Sequence, residues 1–460
     1  MPRNALRLAL FLLLLAAAIL TPLVVSGYAE LLKASGSGTY LEAARRYQLA
    51  AQHLPWRADL YELSGHAYYH AEEYALAQAA YQKAYRRNAL SPDGWVAWGD
   101  VLYLQDDHAE AARIWEQGLE QENPSDKLYS RLGQIYKEDG EYSKAAQVLQ
   151  RYVAVYPQDA SARYRLGLLM ALTDPEGALS ELITASQLDP ELTPAVEALR
   201  SALNQASLRD SPSKRLVLIG RGLGIVQEWE LARLAFGSAV EEDENNAEAW
   251  AWLGEAKHHA GLEGREELDR AYELGQDLPT VRGLRGLYFQ RTGNFRNALI
   301  EFQAAALRDA QNPAWQVSMG ETYSKLGDLI RALDSYQAAT RLAPEDAEYW
   351  RMLALFCAQN NVNIKTVGIP AAQKAVVLDQ EDPVSLDLLG WLLFLDKRYE
   401  ESERILLQAL GLDPENATAH LYLGMLYMQT RDRAAAQDHF VEAHELGNPE
   451  AEAILSRYFP

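Results

Sequence analysis

Residues 126–159 read DKLYSRLGQIYKEDGEYSKAAQVLQRYVAVYPQD, and the order of small and large side chains in this stretch returns down most of the chain. Gly133 holds its eighth position, Ala145 follows twelve residues later and Leu149 four beyond that. Aligning the rest of the chain on this code gives starts at Ala58, Pro92, Asp126, Ala160, Ser213, Ala247, Pro279, Pro313, Ala347, Pro383 and Ala417. Successive starts are 34, 34, 34, 53, 34, 32, 34, 34, 36 and 34 residues apart, so the chain is a repeat array. The eighth position is Gly in ten of these units, from Gly65 to Gly424. Gly there lets two helices approach where any side chain would hold them apart. The small residue (Ala77, Ala111, Ala232, Ala332) and the large one four later (Tyr81, Trp115, Phe236, Tyr336) then read as a hole and a knob. Each unit buries its apolar face only against its neighbours, and the core grows in one dimension.

This pattern resembles the tetratricopeptide repeat, a helix-turn-helix unit of about 34 residues marked by Trp, Leu-Gly, Tyr, Ala, an aromatic, Ala and Pro. Trp95-Val96-Ala97-Trp98-Gly99 carries it, as does Leu132-Gly133-Gln134-Ile135-Tyr136 with Ala145 and Pro157. The match runs from about residue 58 to 448, and a half unit with Ala43, Tyr47, Ala50 and Pro55 takes it back to about 40. The resemblance implies an all-α fold: a right-handed α-solenoid of roughly 11–12 repeats. It also implies a protein or peptide partner in the concave groove, which the first helix of each unit lines, chiefly with its second, fifth, ninth, twelfth and thirteenth residues. Toward the carboxy terminus those positions include Leu355, Trp391, Phe394, Leu395, Leu421, Met425 and Met428, an apolar set that marks a candidate binding groove. Arg351 and Asp387 fall in the same register. Burial of these side chains by superhelical curvature or by the terminal helix is the competing reading. Toward the amino terminus the groove reads Asp59, Glu62, His66, Tyr69, Asp100 and Tyr103, a polar and aromatic secondary surface. Family members that clamp a terminal carboxylate use Lys and Asn at the fifth and ninth positions. Glu62 and His66, Val96 and Asp100, and Ser130 and Gln134 stand there instead, so no such clamp is expected.

The formal charge of −21 and pI near 4.9 argue against a nucleic-acid partner, whose phosphates demand a basic stripe. Cys357 is the single cysteine, which excludes an internal disulfide and a cysteine-based zinc site. From Leu8 to Val25 run 18 residues without a charge, preceded by Arg3 and Arg7 and followed by Glu30. As a helix this segment spans about 27 Å, close to the ~30 Å hydrocarbon core. The positive-inside bias places the amino end in the cytoplasm and the repeats on the far side of a plasma membrane, which residues 8–25 cross once. A cleaved signal peptide, giving a secreted solenoid, is the alternative; Gly27-Tyr28-Ala29 would be a mediocre cleavage site.

These readings divide the chain into an anchor or signal segment at 1–27, an amino-terminal array at 28–192, a divergent helical insertion at 193–212, a carboxy-terminal array at 213–448 and a capping helix at 449–460. A second irregularity is expected at Asn360–Pro370, where Asn-rich sequence replaces a tight turn. Gly220-Arg221-Gly222-Leu223-Gly224 looks like a dinucleotide-binding turn, yet Gly220 sits at repeat position eight with Ala232 and Phe236 in phase behind it. Glu62, His66 and His70 share a helical face but lack a further ligand, and Asn416-Ala417-Thr418 lies in a repeat turn where Asn is common. With no serine elbow, phosphate loop or paired-cysteine motif, an enzyme is not expected, and no catalytic residue, cofactor or metal ligand is assigned. The expectation is a membrane-anchored scaffold outside the cytoplasm that assembles or supports a cell-envelope or membrane complex. A secreted adaptor, or the substrate-reading module of an enzyme complex, is the alternative. The layout is similar to envelope assembly proteins with an anchor followed by these repeats; the four-cysteine metal module that ends one such group is missing here.

Overall fold

The computed structural model describes residues 3–459, with side chains from Phe11 onward apart from Ala16, Ala17 and Ile19. The side chains of Arg3, Arg7 and residues 8–10 therefore lie outside the described residues. Every regular element among the described residues is helical, and antiparallel helix pairs follow one another as the repeat code requires. The contacts divide into two compact units, Met1–Asn204 and Gln205–Pro460. The helix Thr193–Ser207 carries the boundary, and Val196, Leu199 and Leu203 on it are buried.

Local chemistry accounts for the register. First helices begin where a side chain takes up a free N–H: Ser91 accepts from Gly94, Asn246 from Ala249, Asp382 from Val384 and Ser385, and Asn416 from Thr418 and Ala419. Pro92, Pro279, Pro313 and Pro383 occupy the first turn, where the missing N–H costs nothing. Several turns inside the hairpins need a left-handed residue. Gly140, Gly293 and Gly327 supply it without strain, while Glu72, Asp106 and Lys397 adopt φ of 59°, 64° and 62°. Each of these non-glycine turns costs about 1–2 kcal/mol, offset by the packing of the hairpin it closes.

The close approach expected at position eight is present in most units. A Cβ added at Gly65 would fall 2.7 Å from Tyr81, at Gly99 2.1 Å from Trp115, at Gly220 2.6 Å from Phe236 and at Gly390 2.6 Å from Leu406. Gly133 is the exception, for nothing lies within 4 Å of the same point there. Its expected knob, Leu149, is half-buried and packs, with Val153 of its own helix, against Ala162 and Leu166 of the following helix. The tight junction expected at residues 126–159 is therefore open at Gly133, because Leu149 is used by the next repeat.

Two irregular places take definite forms. Asn361 and Asn363 both adopt left-handed backbone, and a π-turn at Ile364–Gly368 leads into the helix Ile369–Leu378, which absorbs the longer spacing of that unit. The terminal helix Pro449–Tyr458 buries Ala451 and sets Ile454, Leu455 and Phe459 against Leu421 and Phe440.

At the other end, one helix runs from Arg3 to Ser35 with Pro22 inside it. Its stretch Phe11–Ser35 is long and apolar enough to cross a membrane, with a mean hydropathy of 2.2, and Phe11 to Leu15 are exposed. Its carboxy-terminal part is built into the fold. Val24 and Leu31 pack on Leu54, Gly27 lets Leu54 approach so closely that a Cβ would fall 2.5 Å from Leu54 Cγ, and Glu30 pairs with Arg46 at 3.1 Å.

Candidate peptide-binding groove

Three first helices, Ala347–Asn360, Pro383–Leu395 and Ala417–Thr430, pack in succession in the carboxy-terminal unit. Between them lies a pocket of about 620 Å³, lined by Arg351, Leu355, Asp387, Trp391 and Tyr422 together with residues of the turn Asp413–Thr418. Trp391 stacks on Tyr422, ring centroids 5.3 Å apart and planes 15° from parallel. Such offset aromatic pairs hold each other's orientation and present a broad rigid wall. Leu355 is 40% exposed and also borders a second cavity of about 650 Å³ with Gln290, Glu321 and Tyr336.

The polar groups of this pocket divide into satisfied and unsatisfied ones. The Arg351 guanidinium donates to Glu348 and to Asp382, so its charge is committed within the chain. Asp382 also accepts from Ser385 Oγ at 2.6 Å and from the Ser385 N–H at 3.0 Å. Asp387 is only 4% exposed, and its Oδ2 accepts from Asn416 Nδ2 at 2.7 Å. Its Oδ1 is buried without a hydrogen-bond partner. Burial pushes the Asp387 carboxyl up to about 7; the Asn416 donor opposes this, and the charges of Asp382 and Asp413 add to it.

Of the apolar residues expected to form the groove, Leu355 and Trp391 meet at this pocket, with Arg351 and Asp387 of the same register, and the other apolar ones do not. Phe394 packs on Tyr399 with centroids 5.9 Å apart, and Leu395 packs against a buried cluster that its own repeat shares with the preceding ones. Leu421 is 3% exposed and is a core residue, which corrects its place on the groove surface. Met425 and Met428 pack in one cluster with Ile454, Leu455 and Phe459, so the terminal helix takes up part of their apolar surface. Tyr422 and Asn416 are the residues that the repeat register missed. Tyr422 is at the sixth position, outside the usual groove set, and only its stacking on Trp391 identifies it. Asn416 is buried as cap and donor, which leaves no free acceptor for a glycan.

The amino-terminal set also separates. Tyr69, Asp100 and Tyr103 line a pocket of about 300 Å³ with Arg131 and Gln134. Its charges are spent internally: Arg131 Nε donates to Asp100 at 2.7 Å, and the Tyr103 hydroxyl donates to Glu138 at 2.8 Å. Asp59 pairs with Arg57 at 2.7 Å and stays outside it. Glu62 is buried beneath Ser91, and His66 Nδ1 lies 2.9 Å from the Tyr81 hydroxyl. Among the described residues no group of three or more His, Cys, Asp or Glu is placed to hold a metal ion.

Paired helices repeated in register, with side chains of successive first helices meeting at shared pockets, define a helical repeat scaffold for protein–protein contacts. Two sequence profiles, both described as the tetratricopeptide repeat, match it: one at residues 62–127, 317–383 and 388–448, the other at 102–169. The chain belongs to the tetratricopeptide repeat family. It is 28% identical over 133 residues to Anaphase-promoting complex subunit 3 of Schizosaccharomyces pombe, a stretch covering 28% of this chain and 20% of that protein. It is 28% identical over 130 residues to Cilia- and flagella-associated protein 70 of Homo sapiens, covering 26% of this chain and 11% of that one. The chain thus matches a fifth or less of the length of these two relatives. Among solved structures it is similar to the Cut9–Hcn1 hetero-tetramer of the APC/C, with 15% identity, 98% of each chain covered and a TM-score of 0.44.

Proposed function

We propose that this protein is a membrane-anchored scaffold that holds a segment of a protein partner in its carboxy-terminal groove, outside the cytoplasm, in the assembly or support of a membrane or cell-envelope complex. The observation that carries the reading is the pocket of about 620 Å³ between three successive first helices, walled by the Trp391–Tyr422 stack. Rigid aromatic surface in a partly desolvated cleft is where binding energy concentrates. The retained anchor is supported by the fold of residues 24–34, since cleavage near Gly27–Ala29 would remove Val24 and Gly27 from their packing against Leu54. The outward orientation rests on Arg3 and Arg7 before the apolar run.

Mass measurement of the mature protein tests the anchor: loss of the first ~25–30 residues, the usual signal length, would replace it with the secreted form. Protease added outside intact cells should digest the repeats, and full protection would reverse the topology. A crosslinker placed at Leu355 in native membranes should capture one partner, with the Trp391→Ala chain carrying the same crosslinker capturing far less of it. Equal capture by both chains would remove the groove from the mechanism.

A further inference from the structure

We infer that the pocket at Asp387 takes a basic side chain, a lysine ammonium or an arginine guanidinium, from the segment bound in the groove. This rests on the groove reading above and gives the partner's chemistry. The first observation is Asp387 itself, 96% buried in the pocket wall with one carboxylate oxygen accepting from Asn416 and the other without any partner. A buried acceptor left unmatched in the free chain is costly, and a donor brought by a ligand removes that cost.

Charge points the same way. Glu348, Asp387, Asp413 and Glu415 line the pocket against Arg351 alone, so acidic groups outnumber basic ones. That arginine is already held by Glu348 and Asp382, so it offers nothing to an incoming anion. Phosphate and carboxylate ligands are therefore repelled, while an ammonium or guanidinium is attracted. The apolar part of the lining matches the rest of such a side chain. Met352, Leu355, Pro383 and Val384 provide surface for its methylenes, and the Trp391–Tyr422 pair provides aromatic faces beside which a cation is stabilised. A purely apolar side chain would fill the space but seal Asp387 away with its oxygen still unmatched.

The test is selection of random-sequence peptides on the full-length chain in detergent, carried out in parallel on wild type, Asp387→Asn and Trp391→Ala. Wild type should enrich peptides with Lys or Arg at one position next to apolar residues. Asp387→Asn keeps the shape and removes the charge, so it should bind those peptides at least tenfold more weakly, about 1.4 kcal/mol, with an unchanged circular dichroism spectrum. Peptides selected without a basic position, or with Asn or Gln there, or bound equally by Asp387→Asn, overturn this inference and leave the groove reading standing. Selection of nothing that Trp391→Ala fails to bind overturns the groove reading and this inference together.

Discussion

Glu62 and Asp387 hold the same address, the fifth position of a repeat unit, one in each compact unit, and both are buried. Each reaches the residue 29 positions on that caps the next first helix, Ser91 for Glu62 and Asn416 for Asp387. The outcomes are opposite. Glu62 accepts from the Ser91 N–H at 2.6 Å, from the Ser91 hydroxyl and from His66 at 3.3 Å. Burial raises it, but those donors outweigh burial and hold the carboxyl below the usual range. Asp387, one methylene shorter, meets only the Asn416 side chain, because the Asn416 N–H is directed to the Asp413 carbonyl at 3.2 Å. The difference teaches that register sets where a carboxylate goes, while side-chain length and the cap of the following repeat set whether it is finished. The amino-terminal acid is part of a completed junction. The carboxy-terminal one is left with an open valence at a pocket.

The largest effect that would break this contrast is in stability against pH. A carboxyl raised from 3.8 to about 7 keeps its proton in the folded chain after the unfolded chain has lost it. Stability from this group is therefore highest below about pH 4, falls as pH rises to about 7, and is level above that. Asp387→Asn should abolish the slope and exceed wild type at pH 8 by on the order of 2–4 kcal/mol. Urea midpoints at pH 5 and pH 8 check this, and a constant gap between the two chains would show that Asp387 is not the titrating group.

Next comes Trp391→Ala. Loss of an aromatic anchor of ~2 kcal/mol should weaken partner capture by about thirtyfold, with little loss of helix content. A chain that melts much earlier yet binds normally when folded would assign Trp391 to the core, and Tyr69, Asp100 and Tyr103 would become the groove to study. A smaller effect of opposite sign to that at Asp387 is expected at Glu62. Its depressed carboxyl contributes stability above the unfolded value of 4.5, and this is lost as pH falls through the lower folded value. Glu62→Gln should cost about 1–2 kcal/mol near pH 7 and less at pH 3. Equal cost at both would mean that shape, not charge, matters there.

A contrast at repeat position eight separates the two units, and its Gly133 arm is the smallest effect. Gly390→Ala must move Leu406 and should destabilise by about 1–3 kcal/mol, with hydrogen exchange rising mainly in adjacent repeats. Gly133→Ala meets nothing within 4 Å and should stabilise its helix by up to ~1 kcal/mol. Destabilisation by Gly133→Ala would show that the junction there closes more tightly than the packing of Leu149 allows.

The repeat code alone determined the all-helical array, the caps and the hairpin turns, because these depend on contacts between neighbours in sequence or one unit apart. Residues 126–159 already carry that information, and the glycine, alanine and aromatic positions keep phase with it through Phe440. The groove was legible only as a list of addresses. From that list Arg351, Leu355, Asp387 and Trp391 reached a common pocket, whereas Leu421 went to the core and Met425 and Met428 met the terminal helix. Tyr422 had no signal in the register at all, and Gly133 had a misleading one. Only the tertiary structure decided these cases, because hydrogen-bond satisfaction and side-chain packing depend on which donor or ring arrives from 29 or 31 residues away and on how far each side chain reaches. A periodic pattern specifies the approach of two helices, and a single methylene decides whether the carboxylate between them is matched.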